Sequence, residues 1–280
     1  MRHYLDIVTH DGVMHADEVF AVAFLKLLYS NISHFIKRTR DKELINRSKL
    51  KHDTFVIDVG KKYNSNLNNF DHHQKEYTGT RSSFGLVAEK YKYEFIKKFH
   101  TDMETFQHFE KELIKPIDDW DNNNNSVIQK AEEIGIFSIQ KTIGAFNVQN
   151  IYSKAQDYSF NEAVKFAIKI IGNEFLKSSG FYKEKTLIKK YFKANLIQVI
   201  GNKAKSKIHF KFYKSWAKEN NIKYLLIPSP NGKRVHDYII IDTSEFAGLK
   251  YDKKMIFLHK NRHLCKFKIW SDAATYFDNL

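Results

Sequence analysis

The sequence has a single cysteine and no long apolar run, and each absence excludes a class of protein. Cys265 is the single cysteine in 280 residues, so the chain has neither a disulfide framework nor a cysteine-based zinc site. No apolar run approaches the roughly 18 residues that a membrane-spanning helix needs. A strand-like segment begins almost at Met1 and leaves no room for a signal or transit peptide. We therefore expect a cytoplasmic protein with no membrane association.

Acidic residues are fewer than basic ones. Lysine plus arginine number 46 against 32 for aspartate plus glutamate, which gives a formal net charge of +14. Such a surplus favours polyanionic partners, nucleic acid above all, although a charged stretch can also be a solvated surface. The densest basic stretch lies at residues 183–207. The chain has 42% hydrophobic residues, and its length predicts a large core divided between two domains.

Strand-like and helical patterns alternate through the first two-thirds of the chain. This alternation predicts an α/β fold with a parallel sheet. The expected strands are residues 4–9, 35–39 and 55–59. The expected helices are residues 19–29, 41–49, 85–99, 105–121, 161–177 and 182–193.

The pattern changes near residue 195, where short strands become frequent. The expected strands are residues 196–200, 223–227, 234–241, 255–259 and 264–269. A hairpin-type turn at Asn231 and Gly232 separates two of them, and residues 272–280 predict a closing helix. We therefore expect a smaller α+β domain at residues 195–280, after a larger domain at residues 1–194.

Histidines and aspartates stand at or just after the ends of the apolar runs. In an open parallel sheet these ends share one edge, where ligands bind. Two imidazoles and a carboxylate on consecutive residues cannot be buried cheaply as apolar filler. Mixed nitrogen and oxygen ligands suit a cluster of divalent metals. The residues concerned are His10, His15, Asp17, Asp58, Asp71, His72 and His73.

Two further groups have both a functional and a structural interpretation. Asp118 and Asp121 end a predicted helix, where acids oppose the helix dipole; this favours a compensating cation, with a polar loop as the alternative. Ser82 and Ser83 precede a helix, so they are either N-cap residues or, with Arg81, a phosphate contact. In the second domain, Arg234 and His259 could face a substrate cleft or be ordinary surface residues.

Four motifs, in order, resemble those of the melanocyte-proliferating-gene family, which is also labelled metal-dependent protein hydrolase and belongs to the DHH phosphoesterase superfamily. They lie at residues 9–18, at 56–63 with 70–74, at 82–85 and at 117–122. Residues 256–259 also resemble a C-terminal block of the family. The sequence departs from the family near Cys265 and Lys266, which replace a glycine pair used for close approach to substrate.

The resemblance implies a DHH-type phosphoesterase domain at residues 1–194 and a substrate-binding domain at residues 195–280. It implies two Mn²⁺ ions, with Mg²⁺ or another divalent ion as the alternative. Asp58 would bridge the two ions. The implied ligands are His10, His15 and Asp58 for one ion, and Asp17, Asp58, His72 and Asp121 for the other.

The resemblance also implies roles for neighbouring residues. His73 would contact the scissile phosphate or protonate the leaving oxygen. Asp71 would orient His72, and Asp118 would either support a ligand or replace Asp121 as one. The candidate substrate-binding residues are Arg81, Ser82, Ser83, Arg234 and His259.

The implied function is Mn²⁺-dependent hydrolysis of phosphodiesters, as a 3′-to-5′ exonuclease on RNA or short oligonucleotides. Two metals about 3.5–4 Å apart, with a bridging hydroxide as nucleophile, would neutralise the charge on the attacking and leaving oxygens. The alternatives are a small-molecule phosphoesterase, such as a pyrophosphatase or a cyclic-dinucleotide hydrolase, and an inactive nucleic-acid-binding relative.

Overall fold

The structure is a computed structural model that describes residues 4–122, 130, 133–135, 138–193, 196–197, 216–228, 237–244 and 248–280, without side chains at 181–215. The chain divides into two compact units, Met1–Ser179 and Gly180–Leu280. The domain boundary expected after residue 194 stays a prediction. Among the described helices, none is both long enough and apolar enough for a membrane crossing.

The first unit contains a five-stranded, mostly parallel sheet, which confirms the predicted α/β fold class. The strand order is β2-β1-β3-β5-β4, and only β4 runs antiparallel to its neighbour. The strands are β1 Tyr4–Thr9, β2 Ser33–Arg38, β3 Thr54–Ile57, β4 Tyr63–Asn64 and β5 Asn69–Phe70. Because β1, β3 and β5 are adjacent and parallel, the residues that follow them meet at one edge of the sheet.

The helices up to Tyr191 follow the predicted order with shifted ends, but the helix at residues 139–144 was not expected and the helix expected at 105–121 has three parts. A π-helical turn, Glu110–Ile114, joins α4 to α5, and Pro116 lies in the first turn of α5, where its missing N–H is tolerated. The helices are α1 Ala16–Leu28, α2 Lys42–Ser48, α3 Ser83–Lys98, α4 Met103–Phe109, α5 Lys115–Asp121, α6 Ile139–Gly144 and α7 Lys154–Tyr191.

One continuous helix, α7, replaces the two helices expected at 161–177 and 182–193. The sequence Ser178-Ser179-Gly180 resembles a break between helices, but serine and a single glycine only weaken a helix. The Ser178 hydroxyl is buried and lies 2.9 Å from His108 Nδ1, so a tertiary contact offsets part of the weak propensity.

The core of the first unit surrounds α1. This helix is apolar on nearly every side, and eleven of its thirteen residues are buried, as expected for a helix covered by both a sheet and other helices. The Phe24 and Phe95 rings stack with their centroids 4.5 Å apart and join α1 to α3. Near the N-termini of the same helices, the Ser83 N–H donates to Asp17 Oδ2 at 3.3 Å.

The second unit contains a six-stranded sheet, ordered β10-β11-β9-β8-β7-β6, and a closing helix α8, Trp270–Asp278. The predicted α+β class of this part is confirmed. The strands are β6 Phe192–Lys193, β7 Leu196–Ile197, β8 Tyr224–Pro228, β9 Tyr238–Asp242, β10 Met255–Leu258 and β11 Leu264–Phe267. The expected turn at Asn231 and Gly232 lies outside the described residues.

Candidate metal centre

The first motif places two histidines between β1 and α1. His10 follows β1 and is 2% exposed; its Nδ1–H donates to the backbone carbonyl of Asp11 at 2.9 Å, which directs Nε2 toward the centre. His15 is the N-cap residue of α1, and its backbone N–H donates to Glu18 Oε1 at 2.8 Å. Glu18 Oε1 also lies 3.4 Å from His10 Nε2. Glu18 therefore links the two histidines, a role that the sequence analysis missed.

Asp58 follows β3 at the middle of the edge. Its backbone φ is 53°, in the left-handed region that aspartate tolerates better than most residues. Oδ2 lies 3.3 Å from His10 Nε2, and Oδ1 lies 3.5 Å from His72 Nε2. The two oxygens of one buried carboxylate thus lie near two different histidines.

The last ligand group lies on the far side of Asp58. His72 Nε2 is 2.9 Å from Asp121 Oδ2 and 3.9 Å from Asp17 Oδ2. His72 Nδ1–H donates to Asn122 Oδ1 at 3.2 Å, which fixes the ring with Nε2 toward the carboxylates, as outer partners of metal-ligating histidines do. Asn122 is a second contributor that the sequence analysis left without a role.

Within the described residues, three overlapping sets of side chains could hold a metal ion. They are His10, His15, Glu18 and Asp58; Asp58, His72 and His73; and Asp17, His72 and Asp121. Asp17 Oδ1 is buried and makes no hydrogen bond within the described part. Buried polar atoms are normally satisfied, so this oxygen fits a divalent cation. All six predicted ligands fall in these sets.

Asp71 contacts a different histidine from the expected one. Its Oδ1 accepts from both the backbone N–H and the Nδ1–H of His73, at 3.0 and 2.9 Å, and its Oδ2 accepts from the Lys61 N–H at 2.6 Å. The interpretation that Asp71 orients His72 is therefore corrected. Successive side chains of an extended segment point in opposite directions, which brings residues 71 and 73 to the same side.

The two serines before α3 contact carboxylates. Both are fully buried; the Ser82 hydroxyl donates to Asp118 Oδ1 at 2.6 Å, and the Ser83 hydroxyl donates to Asp58 Oδ1 at 3.0 Å. Their expected role as phosphate contacts is corrected, because no surface remains for a ligand. Asp118 also accepts from the Gly85 N–H at 3.1 Å and falls in no ligand set. It caps α3, whereas Asp121 faces His72.

The remaining predicted substrate residues lie elsewhere. Arg81 forms ion pairs with Glu110 at 2.7 Å and Glu89 at 3.1 Å, and its phosphate contact stays a prediction. His259 lies in the second unit, with its ring centroid 4.1 Å from that of His263, and its substrate role stays a prediction. Arg234 lies outside the described residues.

Protonation compensates the negative charge of this centre. Burial raises the pKa of Asp17. Burial acts in the same direction on Asp58, but contacts with three histidines outweigh it and hold the Asp58 pKa well below its usual range.

Burial lowers the pKa of His72, yet the contacts with Asp121 and Asp58 raise it to about 11. Contacts with Asp58 and Asp71 raise the pKa of His73 to about 10. At neutral pH without metal both imidazoles are protonated, and a divalent cation could replace the proton of His72.

A buried hydrogen-bond network holds the loop between His10 and His15. The Gly12 carbonyl accepts from Arg38 Nη2 at 2.8 Å and from Gln156 Nε2 at 2.9 Å. Asn147 accepts from the Met14 N–H at 2.8 Å. No sequence pattern indicates this network, because its members come from β2, α7 and the segment before α7.

Comparison with known proteins identifies the family. Residues 6–251 match the family model MYG1_exonuc, described as "Uncharacterised protein family (UPF0160)". A MYG1 protein of Dictyostelium discoideum is 31% identical over 194 residues, which are 64% of this chain and 57% of that protein. The MYG1 exonuclease of Rattus norvegicus is 28% identical over 199 residues, which are 65% of this chain and 51% of that protein. The chain thus spans about half the length of the curated relatives it matches.

Two solved structures are more distantly similar. RecJ from Thermus thermophilus, in complex with Mn²⁺, has 10% sequence identity and a TM-score of 0.29, with 98% of this chain and 51% of that chain covered. The pGpG-specific phosphodiesterase PggH from Vibrio cholerae has 12% identity and a TM-score of 0.34, with 99% and 97% covered. Similarity at this level carries no argument about ligand or substrate. The family match spans most of the sequence and includes all four motifs, and the chain belongs to the MYG1 family.

Proposed function

We propose that this chain hydrolyses phosphodiester bonds of nucleic acid with two divalent metal ions, as a 3′-to-5′ exonuclease on RNA or short oligonucleotides. The observation that carries the proposal is Asp58, whose two carboxylate oxygens lie near His10 on one side and His72 on the other. The rat, mouse and human relatives named MYG1 exonuclease support the reaction class. A cytoplasmic location remains part of the proposal.

The residues present fit two ions that share Asp58. His10 and His15 would complete one site, and Asp17, His72 and Asp121 the other. Mixed imidazole and carboxylate donors suit Mn²⁺, with Mg²⁺ as the alternative. When bound, such a pair activates water and neutralises charge on the attacking and leaving oxygens.

His73 supplies the proton chemistry in this proposal. Its side chain is 55% exposed, so it can reach a substrate. In the metal-free chain, contacts with Asp58 and Asp71 raise its pKa to about 10. Asp71 remains its hydrogen-bond partner when Asp58 is occupied by metal. A protonated, oriented imidazole can donate to a phosphate oxygen or to the leaving oxygen.

The test is degradation of RNA and DNA oligonucleotides of several lengths, labelled at the 5′ or the 3′ end. With Mn²⁺ we expect 5′-labelled RNA to shorten stepwise and 3′-labelled RNA to release its label at once. Asp58→Asn is the matched inactive control, because asparagine keeps the shape and tolerates the left-handed backbone. Hydrolysis of pyrophosphate or cyclic dinucleotides alone would favour the small-molecule alternative, and metal-independent binding without cleavage would favour the inactive relative.

A further inference from the structure

Two recesses of opposite character adjoin the metal centre, and His15 and His73 line both. The first, the basic recess, has a volume of about 600 Å³. The second, the Trp120 recess, has a volume of about 420 Å³ and includes Asp17 and Asp121 in its wall. The candidate ligands therefore lie between the two recesses.

Four lysine or arginine side chains lie in the wall of the basic recess. Arg40, Lys42, Lys49 and Lys61 line it, and only Arg40 has a carboxylate partner, Asp11 at 3.4 Å, among the residues that the structure describes. Its own carboxylates, Asp58 and Asp71, contact the site histidines. Unpaired cations of this kind attract phosphate rather than a base.

The Trp120 recess has the composition of a base-binding pocket. Among the described residues that line it there is no lysine or arginine, and the wall includes Val13, Ile117 and the half-buried Trp120. An indole face binds any nucleobase by stacking. The exposed Val13, at 43% relative accessibility, adds apolar surface at the same recess.

A polar donor in the Trp120 recess has no assigned partner. Gln140 lines the recess, and its Nε2 is buried without a hydrogen bond in the described part of the chain. A buried amide N–H₂ costs free energy unless it donates. The acceptor atoms on a base edge supply such a partner. Asn147 also lines the recess, but its amide is used by the Met14 backbone.

We infer that the Trp120 recess is a nucleobase subsite, which stacks the base of one nucleotide flanking the scissile phosphate on Trp120 while the basic recess takes the phosphate backbone on the other side. This inference rests on the proposed function and adds a base-binding subsite to it. The chain therefore prefers phosphodiesters in which the nucleotide that occupies the Trp120 recess carries a base. A phosphodiester without that base loses the stacking contact.

The test uses the Mn²⁺-loaded full chain and a pair of dinucleotides. One is intact, and in the other the base of one nucleotide is replaced by hydrogen. The comparison is made once with the 5′ nucleotide and once with the 3′ nucleotide lacking its base. The readout is the ratio of kcat/KM for the intact dinucleotide to that for its base-free analogue. We expect a wild-type ratio of about tenfold or more for one of the two positions. Trp120→Ala should bring that ratio close to one, and Trp120→Phe should keep most of it.

Two further variants separate stacking from general damage. Gly144 lines the recess, and a Cβ built on it has no heavy atom within 4 Å, so Gly144→Leu should fill the recess and lower the ratio with Trp120 intact. Tyr158 is an aromatic residue with 69% exposure that lines neither recess, and Tyr158→Ala should keep the wild-type ratio.

The outcomes separate this inference from the proposed function. If the wild type hydrolyses both dinucleotides with a ratio near one at each position, or if Trp120→Ala and Gly144→Leu keep the wild-type ratio, the subsite is wrong and the phosphodiesterase stands. If the wild type hydrolyses neither dinucleotide nor longer RNA, the proposed function fails and this inference fails with it.

Discussion

His72 and His73 are adjacent in the chain, but their rings contact different groups. His72 lies beside Asp121 and Asp17, whereas His73 is half-exposed and hydrogen-bonded to Asp71. His73→Ala should therefore keep two metals and lose roughly 10²–10⁴-fold in kcat, as removal of a general acid does. His72→Ala should lose the metal between Asp17 and Asp121. Elemental analysis and kcat on both variants check this; a His73→Ala variant with wild-type turnover, or with one metal missing, would contradict the assignment.

The raised histidine pKa values predict how the metal-free protein responds to pH. In the folded chain the pKa values of His72 and His73 are about 11 and about 10, above the ordinary value near 6.5. The stability contributed by their ion pairs is thus fully present below about pH 6.5 and is lost as pH rises through about 10 to 11. The raised pKa of Asp17 acts in the same direction.

Urea unfolding with a chelator between pH 7 and 10 tests this response. We expect the free energy of unfolding to fall steadily, and saturating Mn²⁺ to remove most of the fall, because metal ions replace the protons and bind more tightly as pH rises. A metal-free protein equally stable at pH 7 and pH 10 would contradict the protonated state of the centre.

The sequence predicted which residues would meet, but not how each side chain pairs. The positions of the strand ends and the order of the motifs predicted that the six expected ligands would lie at one edge of the sheet. The partner of Asp71, the burial of Ser82 and Ser83, and the roles of Glu18 and Asn122 depend on side-chain direction and on contacts between distant segments. The order of residues along the chain contains no information on these contacts. The sequence therefore suggested Ser82 and Ser83 as substrate-binding residues, whereas their hydroxyl groups donate to Asp118 and Asp58.

At the scale of elements, α3 and α5 are joined through Asp118. The carboxylate accepts from the Ser82 and Gly85 backbone N–H groups at 3.0 and 3.1 Å, and a Cβ on Gly85 would lie 2.1 Å from Asp118 Oδ2. Gly85→Ala should therefore destabilise the protein by about 1–3 kcal/mol, because a buried carboxylate loses donors, although alanine favours helix.

A second helical glycine provides the control for this prediction. Gly172, within α7, has no heavy atom within 4 Å of an added Cβ, so Gly172→Ala should stabilise by up to about 1 kcal/mol. Urea unfolding of both variants gives the comparison. Equal stability of Gly85→Ala and Gly172→Ala would show that the link between Gly85 and Asp118 contributes nothing.

Element types were more predictable than element ends. The strands β1, β2 and β3 and the long helices had recognisable patterns that indicated the α/β class, whereas the two-residue parallel strand β5 was not expected. The sequence did not predict that the two expected helices form one helix, α7, because this depends on tertiary contacts such as that of Ser178 with His108. It also did not predict the π-helical turn before α5.

At the scale of the whole molecule, the net charge of +14 predicts salt-dependent binding of nucleic acid. Each neutralised phosphate releases counterions, so affinity of the inactive Asp58→Asn variant for single-stranded RNA should fall by about tenfold or more between 50 and 200 mM salt. The basic stretch at 183–207 has no described side chains, and its contribution stays a prediction. Fluorescence anisotropy gives the slope, and an affinity that is flat over this range would contradict an electrostatic interface.

Asp58 is proposed to bridge two divalent ions, and electron paramagnetic resonance of the Mn²⁺-saturated chain tests this arrangement. Ions about 3.5–4 Å apart through one carboxylate are magnetically coupled, so we predict two Mn²⁺ per chain with an exchange-coupled spectrum. Asp58→Asn, which keeps the backbone conformation at φ 53°, should lose the coupling. One ion per chain at saturation, two uncoupled ions, or coupling that persists in Asp58→Asn would contradict the account.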